Sequence, residues 1–457
     1  MPALLGNPGH NWRFPDMRKQ INWVPVAFLL SATMWIWIQS IAIPHQQSDS
    51  AARGVPRGNL SDLYPRWLGA RELLLHHRDP YRDEITREIQ IGYYGRELDA
   101  SHPNDPKDQQ AFAYPVYVVV MLAPTVRLPF STVRTFFFWI LTLFTALSVV
   151  LWLQALQWYT SSASKILWIT LTLGCFPAIQ GLKLQQLTVL IAALIAASFY
   201  AISRHRFALS GILLSFATIK PQLVVLLLLW LAIWVAGDWR ARRRLLLSFA
   251  GSMAMLVGFG EILLPGWIGE FRGAMTAYYL YTGGGKSVLD VVLTPTWGRI
   301  VSGLLVVVLL FLCSKLRKGN ERSSDFQYSL ALTLATTLLV IPMFAPYNQL
   351  LLLPSAMVLC RSISQLWKQS RLSRFLLSVT AFSVLWPFAA GSALVLALAF
   401  LPAATVQKAW ELPIYTNFAI PIMIYATLLA SQRVLSFGTG NHESYEQRIL
   451  PQGASGE

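Results

Sequence analysis

Uninterrupted apolar runs of about twenty residues recur along this chain, and that length lets an α-helix cross a hydrocarbon layer of about 30 Å. The first run extends from Trp23 to Ile43. Only 13% of the 457 residues are charged, whereas soluble domains carry about 25%. The mean hydropathy is +0.47. The sequence therefore predicts an all-α polytopic membrane protein.

Basic residues indicate how the chain is threaded, because short cytoplasmic loops are rich in Lys and Arg. The basic residues before Trp23 predict a cytoplasmic leader at 1–21 and an uncleaved first span. We predict twelve spans, within a range of about 11–13. After the first, they are 113–129, 133–157, 165–182, 185–203, 207–236, 245–264, 298–316, 327–345, 347–363, 374–402 and 413–431.

This threading returns the C-terminus to the cytoplasm and places the basic clusters at 240–244, 315–322 and 361–374 inside. Arg204 and Arg206 then fall outside, against the rule. If 207–236 is instead two half-helices around Lys220 and Pro221, the parity changes.

The spans form a single transmembrane domain at 22–431, with a first external loop at about 44–112 and a second at about 265–297. Helical periodicity in the first loop predicts helices at 65–77 and 83–94. The stripe of Ile85, Ile89 and Tyr93 suits an interfacial helix on the bilayer surface. A polar cytoplasmic tail is predicted at 432–457.

Composition also excludes several classes of function. The net charge of +15 is accounted for by topology and contact with anionic membrane lipids, so no nucleic-acid partner is predicted. The three cysteines all fall within apolar segments, and the seven histidines lack metal-ligand spacing. We expect no metal site and no cofactor. The Gly283–Ser287 string lacks the spacing of a phosphate-binding loop.

Asp62 is the first candidate for chemistry, because it lies in the polar loop that follows the first span. Its structural alternative is a helix N-cap, since Pro65 follows three residues later. Residues able to bind a sugar and its phosphate surround it, namely Tyr64, Arg66, Trp67 and Arg71. A carboxylate in this setting could serve as a general base.

Lys220 is the second candidate, because a cation inside an apolar stretch is costly and commonly functional. A lysine that extends to the interface is the alternative. Tyr114 and the run Tyr347, Asn348 and Gln349 would share the outer face, where amides could bind sugar hydroxyls and tyrosines could anchor at the interface.

Several short motifs occur in a fixed order along the chain. They are Ser61–Leu74 with Arg78–Tyr81, Phe112–Pro115 with Leu122–Pro124, Gln186–Leu190, Ser210–Pro221 and Pro346–Pro354. This ordered set resembles glycosyltransferase family 87, polyprenyl-phosphate-sugar-dependent enzymes of the GT-C fold that include the phosphatidylinositol-mannoside mannosyltransferases. Two positions differ: Val116 stands where the family has a second proline, and Gln185 where it commonly has glycine.

The resemblance implies a GT-C-type fold and an inverting transfer of a mannose-like hexose or a pentose from a polyprenyl-phosphate donor to a lipid or glycan acceptor. It further implies that Asp62 is the general base and that Lys220 contacts the donor phosphate. Gln186 falls within a matched motif and is expected to bind substrate. The active site would lie on the extracytoplasmic side of the cell (inner) membrane.

A transporter or flippase of a lipid-linked or small polar substrate is the alternative from another class. Such a protein would share the apolar helices and the buried lysine, but it has no need of a large external loop carrying Asp62. We find no internal repeat of the kind that many secondary transporters contain.

Overall fold

The computed structural model describes residues 23–54, 61–99, 101–102 and 104–437, and these contain helices and no strands. The predicted leader at 1–21 and the tail beyond residue 437 lie outside the described residues. The α-helices are α1 (Val24–Trp37), α2 (Ile43–Ala52), α3 (Tyr64–His76), α4 (Asp83–Tyr94), α5 (Val119–Leu122), α6 (Phe130–Ala155), α7 (Ser162–Gly174), α8 (Phe176–Lys183), α9 (Leu187–Ser203), α10 (Phe207–Ala217), α11 (Pro221–Gly237), α12 (Trp239–Leu263), α13 (Trp267–Tyr281), α14 (Val288–Leu293), α15 (Pro295–Leu316), α16 (Ser324–Val340), α17 (Leu353–Arg361), α18 (Ile363–Gln369), α19 (Arg371–Ala397), α20 (Ala403–Gln407), α21 (Ala419–Ala430) and α22 (Gln432–Phe437).

Six helical segments of the described chain are long and apolar enough to cross a membrane, and up to eight are if each of two bent pairs counts as one span. The chain is therefore a multi-pass membrane protein. The first segment joins α1 to α2 through a π-helical turn at Ile38–Ala42, so it continues to Ala52, beyond the predicted end at Ile43. The count is below twelve because four predicted spans correspond to helices of 17 residues or fewer, at 116–125, 187–203, 207–217 with 221–237, and 324–340.

The turns at one end of the bundle contact one another, and we call this the basic end. The Arg361 guanidinium donates to the Leu156 carbonyl at 2.7 Å. The His205 ring lies 3.1 Å from the Glu321 carboxylate. The 204–206 turn therefore lies at the same end as the basic cluster at 315–322. The threading that placed these two segments on opposite sides is wrong.

The physical reason is that the chain turns back in the middle of the predicted span 207–236. Both its ends lie at the basic end, because Phe207 follows the 204–206 turn and Trp234 donates to the Gly319 carbonyl at 2.9 Å. Between them α10 and α11 form a helical hairpin, broken at Lys220, where Pro221 begins the second helix. The alternative of two half-helices is confirmed.

A second predicted span, at the other end of the bundle, also returns to the side from which it starts. Residues 113–129 were predicted to span, yet both their ends contact α3: Arg66 lies over the Tyr114 ring, and Trp67 donates to the Thr125 carbonyl. The inner part of this segment reaches the α10–α11 hairpin, where the Tyr117 hydroxyl lies 3.0 Å from the Thr218 carbonyl. Hydropathy misidentified both segments because it detects apolar length and not chain direction.

The predicted loop helices are present as α3 and α4, within a residue of their expected bounds. One expectation about α4 is wrong. Its stripe of Ile85, Ile89 and Tyr93 is buried in the protein, at 1%, 0% and 3% exposure, and does not face the bilayer. The second external segment folds as α13 and α14, and α13 packs against the first loop through Tyr278 and Asp108.

Candidate active site

The loop that carries Asp62 is fixed to the turn between α8 and α9. The Ser61 hydroxyl donates to the Gln185 side-chain oxygen at 2.6 Å, and the Asp62 amide donates to the Leu184 carbonyl at 3.0 Å. Gln185 has a φ of +48°, in the left-handed region that glycine adopts most readily. This backbone conformation explains why glycine suits position 185. The glutamine found here is compensated by its side-chain hydrogen bond from Ser61.

Asp62 does not cap α3. The N-cap residue is Leu63, and no side chain caps that helix. The half-buried Asp62 carboxylate instead accepts hydrogen bonds from the Gln186 amide and, at 3.3 Å, from the Tyr93 hydroxyl. The helix-start alternative is therefore excluded, and the carboxylate points toward the α8–α9 turn and α4.

Burial raises the pKa of Asp62 above its ordinary value, and Arg66 limits that rise. Asp108 raises it further, whereas Gln186 and Lys220 lower it. Burial also raises the pKa of the Tyr93 hydroxyl, which therefore stays protonated and can donate to the carboxylate. A carboxylate with a raised pKa accepts protons more strongly once it is ionised.

Gln186 connects this carboxylate to Lys220, the buried lysine at the tip of the α10–α11 hairpin. Its amide nitrogen donates to Asp62, and its amide oxygen accepts from the Lys220 ammonium at 2.8 Å. Lys220 also donates to the Thr188 hydroxyl at 2.8 Å, and Thr188 donates to Asn348 at 3.3 Å. One continuous chain of hydrogen bonds thus joins four separate parts of the sequence.

Aromatic rings and a second cation enclose this chain. The Lys220 ammonium lies 5.2 Å from the Tyr347 ring centroid and 5.7 Å from that of Tyr114. The Arg66 guanidinium stacks over Tyr114 at 4.6 Å and donates to the Asp62 carbonyl at 2.7 Å. The Arg66 Nε is buried and has no hydrogen-bond partner among the described residues. Two cations therefore flank one tyrosine ring beside the carboxylate, with donor capacity left for an anion.

Asp108 and Tyr278 also belong to this site, and the sequence analysis missed both. The Tyr278 hydroxyl donates to the Asp108 carboxylate at 3.1 Å, and the charge of Asp108 influences the pKa of Asp62. Asp108 lies in a turn-rich connector and resembles an ordinary turn residue. Its only sequence signal is that it follows Asp99 and Asp105 in the same polar loop.

The structure brings together seven of the eleven predicted site residues: Asp62, Arg66, Tyr114, Gln186, Lys220, Tyr347 and Asn348. We call this group the polar site.

The other four predicted residues make packing contacts elsewhere. Tyr64 packs against Phe130, and Trp67 donates to the Thr125 carbonyl. Arg71 lies over the Trp67 ring at 5.5 Å. Gln349 donates to the Asn417 carbonyl at 2.8 Å. These contacts hold α3 and the segment that begins at Pro346, so they are structural in kind.

No group of three or more His, Cys, Asp or Glu side chains in the described part of the chain is arranged to hold a metal ion. The polar site offers one ionisable carboxylate at its centre and two cations beside it. Such an arrangement can accept a proton from a hydroxyl and stabilise a departing anion.

Residues 112–342 match the model of glycosyltransferase family 87, a range that covers half of the chain. The chain belongs to glycosyltransferase family 87. No curated protein and no solved structure gives a significant match. The range that matches family 87 contains Tyr114, Gln186 and Lys220, whereas Asp62 and Arg66 precede it and Asn348 follows it. Membership of family 87 indicates glycosyltransferase activity in a multi-pass membrane protein and favours transfer over the transporter alternative.

Proposed function

We propose that this protein transfers a mannose-like hexose or a pentose from a polyprenyl-phosphate donor to a lipid or glycan acceptor, with inversion at the anomeric carbon. Asp62 acts as the general base, and Lys220 and Arg66 hold the donor phosphate. One observation carries the proposal: the Gln186 side chain bonds to the Asp62 carboxylate and to the Lys220 ammonium at once. The Gln186 side chain thus couples a base to a cation, and the transfer needs a base at the acceptor hydroxyl and a cation at the leaving phosphate.

In the proposed step, the acceptor hydroxyl oxygen attacks the anomeric carbon and forms the new glycosidic bond. The bond from that carbon to the phosphate oxygen breaks, and the electron pair leaves with the polyprenyl phosphate. The hydroxyl proton passes to the Asp62 carboxylate, on the face opposite the leaving group. Lys220 and Arg66 stabilise the charge that develops on the phosphate.

A lipid-phosphate donor suits these side chains. Enzymes that use nucleotide sugars commonly hold the diphosphate through a metal bound to an Asp-x-Asp string, and the sequence contains no such string. A single phosphate requires less charge, and two cations beside a tyrosine ring can supply it. The GT-C architecture implied by the resemblance is part of the same proposal.

We place the polar site on the extracytoplasmic side of the cell (inner) membrane. The support is the basic end, where the clusters at 240–244, 315–322 and 361–374 and the 204–206 turn lie together. Helix α9 runs from Gln186 in the polar site to Ser203 at the basic end. If the basic end faces the cytoplasm, as the positive-inside rule expects, the polar site faces outward.

The test is transfer from radiolabelled polyprenyl-phosphate mannose to a panel of lipid acceptors, using membranes that contain the protein. Loss of a general base costs about 10²–10⁴-fold in rate, so we expect a fall of that size for Asp62→Asn. Asp83→Asn is the matched control, because Asp83 lies in the first turn of α4 in the same loop and is exposed.

Donor binding separates the base assignment from a folding defect. Asp62→Asn should still bind the labelled donor, because the assigned phosphate contacts are Lys220 and Arg66. Transfer by Asp62→Asn at close to the wild-type rate would overturn the base assignment. Loss of transfer in Asp83→Asn as well would point to damage to the loop as a whole.

A further inference from the structure

Two large cavities meet at the basic end, and neither borders Asp62. The first, of about 550 Å³, is polar, and the second, of about 520 Å³, is almost entirely apolar. Trp158, in the turn between α6 and α7, borders both. The Trp158 ring is fixed there by an edge-on contact with Trp168 at 5.8 Å. A polar chamber and an apolar groove thus lie side by side, with Trp158 lining both.

Three cations border the polar chamber: Lys165, Arg204 and Arg322. No ion pair joins any of them to another side chain in the described parts of the chain, and the neighbouring Glu321 carboxylate is taken by His205 at 3.1 Å. The Thr160 hydroxyl borders the chamber, is buried and lacks a hydrogen-bond partner among the described residues. Uncompensated positive charge together with an unused hydroxyl suits a phosphate group.

The apolar groove runs between helices that cross the membrane. Its walls come from α7, α17, α19 and α21, and it extends from Trp158 and Ile363 near the basic end to Gln349 and Asn417 at the far end. Its lining is otherwise made mainly of Leu, Ile, Phe and Trp side chains. In a membrane protein such a groove is filled by hydrocarbon, because water gains no hydrogen bonds there.

We propose that these joined cavities bind an anionic glycerophospholipid of the cytoplasmic leaflet. Its phosphate headgroup lies among Lys165, Arg204 and Arg322, and an acyl chain lies along the groove below Trp158. Basic pockets between transmembrane helices on the cytoplasmic side bind anionic headgroups in this way. The continuous groove favours a lipid over a free phosphate, because a soluble anion would fill only the polar chamber.

The experiment is native mass spectrometry of the full-length protein, purified in detergent and exposed to an equal mixture of phosphatidylglycerol and phosphatidylcholine. The wild type should retain one phosphatidylglycerol in preference to phosphatidylcholine. Each surface cation adds about fivefold to anionic lipid affinity. The triple variant Lys165→Gln, Arg204→Gln and Arg322→Gln should therefore lose on the order of 100-fold, down to parity between the two lipids.

The matched control is Arg240→Gln, Arg243→Gln and Arg244→Gln. It removes the same charge from exposed positions at the same end, and none of the three borders either cavity. It should keep the preference. A second variant, Ala356→Phe, fills the groove without changing charge and should also reduce retention. Val307→Phe, at a position 64% exposed, is its size control.

Three outcomes would overturn the proposal. The first is an equal loss in the two triple variants, which would show diffuse attraction by the whole basic end. The second is a wild type that retains both lipids equally. The third is any result showing that the groove takes no part. Soluble glycerophosphate alone would then displace the lipid, or Ala356→Phe would retain as much lipid as the wild type. None of these readouts depends on sugar transfer, so the proposal can fail while the proposed function stands.

Discussion

Two buried cations, Lys220 and Arg242, lie at opposite ends of the bundle, and their partners differ in kind. Arg242 donates to three backbone carbonyls, those of Trp234, Arg317 and Gly319, at 2.8–3.0 Å. Its guanidinium also lies 4.0 Å from the Trp234 ring. Among the described residues, Lys220 donates to two side-chain acceptors, Gln186 and Thr188. Arg242 therefore spends its donors on fixed backbone carbonyls, of which that of Gly319 also accepts from Trp234, whereas Lys220 keeps donor capacity for a ligand.

The difference shows that burial alone does not make a cation functional. Both residues are buried: Arg242 is 5% exposed and Lys220 is 9% exposed. What separates them is the partner: backbone carbonyls have fixed positions and are present before any ligand, whereas side-chain amides and hydroxyls can rotate to share a donor with a phosphate. Arg242 therefore has the features of a structural residue, and Lys220 has those of a ligand-binding residue.

Among the variants that test this comparison, the largest expected effect is that of Lys220→Met on transfer. Removal of one group that stabilises developing charge costs about 10²–10³-fold in rate, and we expect a loss of that size. The melting temperature in detergent should fall less than in Arg242→Met, because the amide oxygen of Gln186 is the one acceptor left without its donor, and Gln186 still bonds to Asp62. Transfer assays and thermal melts on the same preparation measure both quantities. Near-normal transfer by Lys220→Met would show that Lys220 has a structural role like that of Arg242.

Arg242→Met should show the reverse pattern. It removes the Arg242 donor from the Trp234 and Arg317 carbonyls, while the Gly319 carbonyl keeps its bond from Trp234, and a buried unsatisfied group costs about 1–3 kcal/mol. We expect a clear fall in melting temperature with transfer per folded molecule unchanged. The transfer rate per folded molecule, measured together with thermal melts, distinguishes a loss of stability from a loss of catalysis. A selective loss of transfer at normal stability would contradict the comparison.

Gln186→Leu tests the bond that joins the base to the cation. A hydrogen bond to a charged group is worth about tenfold or somewhat more, so transfer should fall by about tenfold. Because the Gln186 bond lowers the pKa of Asp62, its loss should also move the acid side of the pH–rate profile to higher pH. A rate loss with no change in the profile would show that Gln186 acts on Lys220 alone.

A shift in pH dependence is expected from two neighbours of Asp62, and in Arg66→Met it adds to the rate lost with the phosphate contact. The base works when ionised, so activity falls as the pH drops through its pKa. Arg66 lowers that pKa and Asp108 raises it. Arg66→Met should therefore shift the acid side of the profile to higher pH, and Asp108→Asn to lower pH. Shifts in the same direction in both variants would exclude Asp62 as the titrating base.

The sequence predicted the parts of this fold that have local signals. α3 and α4 follow from helical periodicity and from Pro65 near a helix start. A chain that turns back has a weaker signal, since 113–129 and 207–236 are apolar whether they cross or return. For 207–236 there were two clues, the possible break at Lys220 and Pro221 and the positive-inside breach at Arg204 and Arg206, which the contact between His205 and Glu321 explains.

The polar site could be predicted where a polar residue stands in an apolar context, as Lys220 does. Asp62 needed its placement and the family resemblance as well. Asp108, Tyr93 and Tyr278 could not be predicted, because they lie in polar or amphipathic segments where such residues are common. Asp108 and Tyr278 meet because α13 packs against the first loop, a contact between residues 170 positions apart.

The smallest expected effect is that of Gln185→Gly, which replaces a side-chain anchor with a relaxed backbone. Glycine removes the strain of a positive φ, worth up to about 1 kcal/mol, and loses the Ser61 hydrogen bond, worth a similar amount. The melting temperature should therefore stay nearly constant. The Asp62 loop then keeps its bonds to the Leu184 carbonyl and to Gln186 but loses the one to Gln185, so transfer should fall a few-fold through kcat, with KM for the donor nearly unchanged, because Lys220 lies on another segment and Arg66 is held by α3. A rise in donor KM instead would show that the anchor positions Lys220 and its neighbours, and that the base and the cation are set by one shared turn.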